Sequence, residues 1–150
     1  MSREPEASDH YFSGEPSVAS SPRDTSFTHA GRLFTLTTDR GVFAHGGIDL
    51  GTQVLLDTVP APDTGVALDI GCGAGPITLA LASHAGVSAV YGIDTNTRAI
   101  ELTKKNSALN SLTNVVACEP GDVPVDLSFE TIWSNPPIRI GKDALHTLLM

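Results

Sequence analysis

Apolar residues in this chain fall into short runs separated by glycine, proline, aspartate and asparagine rather than being spread evenly. From Val66 to Ile70 an apolar run carries a single acid, Asp69, and then breaks into Gly71-Cys72-Gly73-Ala74-Gly75. A short run with apolar residues on both faces predicts a strand covered on both sides. The glycines after it allow positive φ in a tight turn and let a ligand approach the backbone closely. Beyond the turn, Ile77, Ala80, Leu81 and His84 recur at helical spacing, with Pro76 in the first turn and Gly86 as the C′ stop. Val87 to Ile93 then predicts a second strand, ending on Asp94. Residues Thr97 to Asn110 predict a helix with Ala99, Leu102 and Leu109 on one side and Asn110-Ser111 ending it in the left-handed region. Val115 to Cys118 and Phe129 to Ser134 predict a third and a fourth strand.

Strands alternating with helices define the α/β class, and the order here predicts a doubly wound, mainly parallel sheet of which four core strands are visible. Upstream, Leu33, Thr35 and Thr37 alternate with Phe34 and Leu36, and Asp39-Arg40-Gly41 offers a turn before Val42-Phe43, which together predict a small N-terminal β-hairpin. A helical stretch follows in which Val54, Leu55 and Val59 share a face, closed by Asp63-Thr64-Gly65. Residues 1–28 are rich in Ser, Pro, Glu and Asp and predict a mostly disordered arm, with His10-Tyr11-Phe12 as a local anchor. The folded domain is therefore expected over residues 29–150.

Composition narrows the function classes. At 150 residues and 41% hydrophobic, the chain is one globular domain at most. It lacks the roughly 18 consecutive apolar residues of a membrane span, and its polar N-terminus has no apolar core for a signal peptide, so a cytoplasmic protein with no membrane partner is expected. Cys72 and Cys118 form neither a C-x-x-C pair nor a disulfide framework, which predicts reduced thiols and no metal site. The net charge of −8 argues against tight nonspecific binding to nucleic acid. A nucleic-acid substrate then needs a local basic patch, for which Arg139 and Lys142 are placed beside the expected site.

The central turn reads Asp69-x-Gly71-x-Gly73-x-Gly75, a different spacing from the dinucleotide fingerprint G-x-G-x-x-G. It resembles motif I of the class I S-adenosylmethionine-dependent methyltransferases, whose Rossmann-like sheet binds the cofactor over that turn. A glycine-rich turn with no cofactor duty is the bland alternative. Asp94 closes the second strand of the same βαβ unit, where an acid can accept from both hydroxyls of a ribose. Its alternative is to cap the next helix, a task open to Thr95 and Asn96 as well.

Asn135-Pro136-Pro137-Ile138 leaves the tip of the fourth strand. Two prolines delete two backbone donors there, leaving an amide and free carbonyl oxygens as an acceptor cradle for an amino group. In amino methyltransferases an N-P-P-aromatic motif holds the target NH2, and here Ile138 replaces the aromatic. The stretch Asp39 to Leu56 resembles the region preceding the core in the small-domain methyltransferases related to ribosomal RNA guanine-N2 methyltransferases. That resemblance implies that Phe43 and the Asp49-x-Gly51-Thr52 element lie over the cofactor and substrate pocket, although Thr52 serves equally well as a helix N-cap. It also implies Asp122 at the adenine amino group, against the alternative of a plain turn aspartate after Pro120-Gly121.

The expected activity is methyl transfer from S-adenosylmethionine to an exocyclic amine, with guanine N2 of small-subunit ribosomal RNA as the first choice. A protein glutamine N-methyltransferase and an inactive cofactor-binding fragment are the competing readings. Asn135 and Pro136 are the expected catalytic residues. Asp69, Gly71, Gly73, Gly75, Asp94, Asp122 and Thr52 are the expected cofactor residues, and Pro137, Ile138, Arg139 and Phe43 contact substrate. The family continues past the position of Met150 with further strands, so a C-terminally truncated domain with an exposed fourth-strand edge is expected.

Overall fold

The computed structural model describes residues 17–42 and 48–135. Phe43 and the stretch holding Pro136, Pro137, Ile138 and Arg139 lie outside the described residues, as does His10-Tyr11-Phe12. Two strands, β1 (Arg23–His29) and β2 (Arg32–Thr38), form an antiparallel hairpin. Helix α1 (Leu50–Thr58) follows, and then β3 (Gly65–Ile70), α2 (Pro76–Ala82), β4 (Val87–Ile93), α3 (Thr97–Leu109), β5 (Val115–Cys118), a 3-10 turn (Pro120–Asp122) and β6 (Thr131–Ser134). The sheet runs in the order β5-β4-β3-β6 and every pair in it is parallel. This is the predicted α/β architecture, with the glycine-rich turn leaving one of the two central strands.

Register assigns the faces. Leu68 lies beside Tyr91 and Ile132, and Tyr91 beside Val116, so these four form one row, while Asp69, Gly92, Ala117 and Trp133 form the next row on the opposite face. The core cluster joins Ala67, Val90 and Trp133 of the sheet to Ile77, Leu79 and Leu81 of α2, Ala99 and Leu102 of α3, and Phe27, Phe34 and Leu36 of the hairpin. Trp133 is therefore core, as its place inside a strand predicts. On the other face Ile132 is 58% exposed and Val116 42% exposed, so among the described residues the sheet is covered on one side.

The hairpin departs from expectation. Its first strand begins at Arg23, inside the stretch expected to be an unstructured arm, and its turn is Ala30-Gly31 with φ of 49° and 78°. Val42 is not the partner strand. Positive φ at both central residues marks the tight turn that matches strand twist, and it fixes the Phe27–Phe34 register, whose rings stack with centroids 4.8 Å apart. The signal was weak because β1 is polar apart from Phe27 and lies outermost in the pair.

The outer edge of β2 is satisfied by side chains. Asn106 Oδ1 accepts from the Thr37 amide (2.8 Å) while its Nδ2 donates to Thr37 O (2.9 Å) and to Ala74 O (2.7 Å). One helical turn on, Asn110 repeats the pattern, accepting from the Thr35 amide (3.0 Å) and donating to Thr35 O (2.7 Å). Residues two apart on a strand edge thus meet residues four apart on a helix, and the backbone groups of Thr35 and of the buried Thr37 are paired without a third strand.

Three helical assignments change. On α1, Thr52 and Leu56 are buried, whereas Val54 and Val59 are exposed, because the helix turns the Leu55/Leu56 side to α2. Leu109 is exposed at the end of α3. Gly86 is not a C′ stop, since α2 ends at Ala82 with Ser83 as its cap. Gly86 is required for another reason: a Cβ there would collide with the carbonyl oxygen of Asp63. Ser111 takes the left-handed φ of 58° after α3, as predicted, and Asn96 caps α3 through bonds from the Arg98 and Ala99 amides.

Candidate functional site

The turn after β3 is held against the tip of β4 by main-chain bonds from Gly71 N (2.8 Å) and Cys72 N (3.0 Å) to Ile93 O. Gly71, Gly73 and Gly75 have φ of 74°, 58° and 97°, a conformation that side chains rarely adopt. At Gly75 a Cβ would also stand 3.0 Å from the Thr103 hydroxyl, which itself donates to Gly73 O (3.0 Å). Thr103 was not singled out from the sequence, because its contact crosses from α3 to a turn thirty residues away.

Asp94 points at this turn. Its Oδ2 accepts from the Gly73 amide (3.1 Å) and its Oδ1 from the Asn96 amide (2.9 Å), so the second strand's acid and the glycine turn are one structure. Asp94 does not cap α3; it is a buried carboxylate at the strand tip, turned to the glycine turn.

Asp69 lies behind the turn, 1% exposed. Its Oδ2 accepts from the Thr78 hydroxyl (2.7 Å), whereas its Oδ1 has no hydrogen-bond partner. Burial pushes its pKa up to about 7; bonds from Thr78 pull it down and the nearby Asp94 charge pushes it further up. Such an acid is costly to keep ionised without a cation beside it. Burial also holds the Cys72 thiol well above its ordinary range, with both acids adding to the effect, so it is no nucleophile.

Asn135 follows β6. Because Ser134 pairs with Ile70, Asn135 emerges beside Gly71, so the expected amine cradle and the glycine turn share one end of adjacent strands. Its Nδ2 donates to Asp49 Oδ1 (3.0 Å) and to Thr52 Oγ1 (2.8 Å). The N-cap of α1 is Asp49, not Thr52. Thr52, Asp49 and Asn135 therefore meet at one point, a contact across more than eighty residues with no local sequence signature. Asp122 stands apart: it is exposed and lines a pocket of about 220 Å3 with Thr97, Ile100, Lys104 and Cys118. Among the described residues no group of three or more His, Cys, Asp and Glu could hold a metal ion, and no helix is long and apolar enough to cross a membrane.

A parallel sheet with a glycine turn on one central strand and an acid on the next defines a nucleoside-binding α/β domain. The particular family is given by comparison: residues 33–150 match the model of the methyltransferase small domain, and the chain belongs to that family. An uncharacterised protein of Bacillus subtilis (strain 168), YbxB, is 40% identical over 94% of this chain and 72% of its own length. Ribosomal RNA small subunit methyltransferase C of Salmonella choleraesuis (strain SC-B67) is 37% identical over 77% of this chain but only 35% of its own length. Among solved structures, the T. thermophilus 16S rRNA N2 G1207 methyltransferase (RsmC) in complex with AdoMet and guanosine superposes with a TM-score of 0.68 at 25% identity, covering 85% of this chain and 36% of that one. The M. jannaschii tRNA m1G37 methyltransferase superposes at 0.57 with 25% identity, covering 84% of this chain and 39% of that one. The chain spans about a third of the length of the ribosomal RNA methyltransferases that it matches.

The chain is thus an S-adenosylmethionine-dependent methyltransferase domain. The residues present fit that cofactor. A buried carboxylate oxygen without a partner suits a ligand carrying an ammonium and a sulfonium charge, and a positive-φ turn keeps side chains out of the crevice.

Proposed function

We propose that this protein transfers a methyl group to an exocyclic amine of a nucleobase, with guanine N2 of small-subunit ribosomal RNA as its target. The observation that carries the reading is the register of β3 and β6, which sets the acceptor-bearing Asn135 beside Gly71 at the cofactor turn. Bound S-adenosylmethionine supplies an activated methyl on a cationic sulfur. Gly71, Gly73 and Gly75 leave space at its methionine end, and Asp69 Oδ1 accepts from its cationic amino group. Asp94 accepts from the ribose hydroxyls, and Asp122, at the tip of the third core strand, is assigned to the adenine amine.

Asn135 Oδ1 and the Pro136 carbonyl take hydrogens from the target amine and so aim its lone pair. No strong base is required, because the proton can leave after transfer, when the methylated nitrogen is acidic. The work left to the protein is alignment and exclusion of water. Pro137, Ile138, Arg139 and Phe43 are assigned to the substrate, with Phe43 in the stacking role that Ile138 cannot fill. A target within a helix must first be extruded, at a cost of a few kcal/mol.

Transfer of labelled methyl from the cofactor to purified small-subunit ribosomal RNA tests the proposal, run beside a peptide release factor as the protein-glutamine alternative. Label in RNA is expected. Label confined to glutamine, or to neither substrate while the cofactor still binds, would overturn it.

A further inference from the structure

We propose that Asp49 and Thr52 are positioning residues of the methyl-transfer site: they take both amide hydrogens of Asn135 and thereby present its Oδ1 as the acceptor that selects an N–H-bearing target. The inference rests on the proposed function for the identity of the reaction, but the orientation it asserts is independent of that reaction.

An asparagine amide is a two-faced group, with two donor hydrogens on one side and an acceptor on the other. A cradle meant for an amine needs the acceptor side outward. At Asn135 the donor side is fully engaged, with Nδ2 at 3.0 Å from Asp49 Oδ1 and 2.8 Å from Thr52 Oγ1. The opposite rotamer would set Oδ1 against a carboxylate oxygen, two acceptors with no proton between them. The chemistry of Asp49 therefore decides which way the amide faces.

Asp49 is itself immobilised. The same oxygen that receives Asn135 accepts from the Thr52 amide at 2.8 Å, the capping bond of α1. Thr52 is 5% exposed, so its hydroxyl has little competition from water. Gly51 provides the clearance: a Cβ at that position would lie 3.1 Å from both Nδ2 and Oδ1 of Asn135. One short stretch, Asp49-Leu50-Gly51-Thr52, thus supplies an acceptor, a gap and a second acceptor to a residue on the far side of the sheet sequence.

The consequence is selectivity by hydrogen-bond sense. A target presenting an NH2 can donate to Oδ1, whereas a target atom that offers only a lone pair at that point meets an acceptor and gains nothing. An acceptor fixed in this way discriminates strongly, because mismatch leaves polar groups unpaired.

The alternative is that these bonds only fasten α1 to the sheet, and the test separates the two. The Asn135 side-chain amide signals, assigned by their loss in Asn135→Asp, are followed by 15N-resolved NMR in the 150-residue chain. Both hydrogens should be protected from exchange in the unsubstituted protein. In Thr52→Val at least one should exchange about 10-fold faster, and kcat should fall by about 10-fold or more with the KM for cofactor within about two-fold. Thr52→Ser, which keeps the hydroxyl, should restore both readouts. Freely exchanging amide hydrogens in the unsubstituted protein would overturn the proposal, as would a Thr52→Val enzyme with unchanged kcat or a loss that serine does not restore. If no substrate is methylated by any form, the proposed function fails, and the amide measurement still decides the orientation.

Discussion

Replacing Asp69 by asparagine exposes the conflict between stability and binding at the cofactor turn. In the unfolded chain this carboxyl titrates near 3.8, and in the folded protein burial lifts it to about 7. Between those values the native state keeps a proton that the unfolded chain has released, so this group's contribution makes the protein less stable as pH rises from about 4 to about 7. Below that window both states are protonated and the contribution is flat. A gap of about three units, at about 1.4 kcal/mol each, is worth about 4 kcal/mol. Asparagine mimics the neutral acid, so Asp69→Asn should recover much of that loss at pH 8, less about 1–3 kcal/mol for an Nδ2 donor set where Oδ1 now has no partner. Urea unfolding at pH 4 and pH 8 without cofactor should find the variant no more stable than the original at pH 4 and about 1–3 kcal/mol more stable at pH 8. Calorimetry should find cofactor binding weakened by the same substitution, because the acceptor for a cation is gone. A stability difference independent of pH, or undiminished cofactor affinity, would refute the reasoning.

Other outcomes follow from the same geometry. Asn106→Ala strips partners from Thr37 N, Thr37 O and Ala74 O in a fully buried setting and should cost about 3 kcal/mol or more in chemical unfolding. Asp94→Ala should weaken cofactor binding by about 1–3 kcal/mol in a calorimetric titration, and an unchanged affinity would remove its assigned role. Asn135→Ala should leave cofactor affinity nearly intact while lowering the methylation rate by about 100-fold or more. The Nε2 atoms of His29 and His84 lie 2.9 Å apart, and burial, followed by the His84 charge, holds the His29 pKa below 6.5. The His29 contribution is present above that pH and lost as pH falls through its lowered value, so His84→Gln, which removes the opposing charge, should flatten the acid limb of a pH–stability profile.

What was legible in the sequence was what local periodicity encodes. The run from Val66 through the glycine turn to Asp94 is one βαβ unit whose strands are apolar, whose turn needs glycine and whose helix opens on proline; each signal lies within a few residues of its cause. Strand Val87–Ile93 was delimited residue for residue. The hairpin was misplaced because β1 has one apolar anchor, Phe27, and its turn is Ala30-Gly31 rather than a strong Asn-Gly signal. The α1 face was misassigned because Val54, Leu55, Leu56 and Val59 fit two helical stripes, and only packing on α2 chooses between them. Most of the site's supporting contacts are long-range: Asn106 to Thr37, Thr103 to Gly73, and Asn135 to Thr52 join polar residues that carry no period of their own. The Asp49-x-Gly51-Thr52 element was visible as a motif, yet its partner could be found only once β6 was placed beside β3.

The central claim is that the crevice above Gly71 and Gly73 delivers a methyl group to an exocyclic amine held at Asn135. Mass analysis of nucleosides from small-subunit ribosomal RNA, after incubation with the protein and deuterium-labelled S-adenosylmethionine, tests it most directly. The account predicts label in N2-methylguanosine, absent when Asn135 is replaced by alanine; label on a ring nitrogen, or label that survives loss of Asn135, would contradict it.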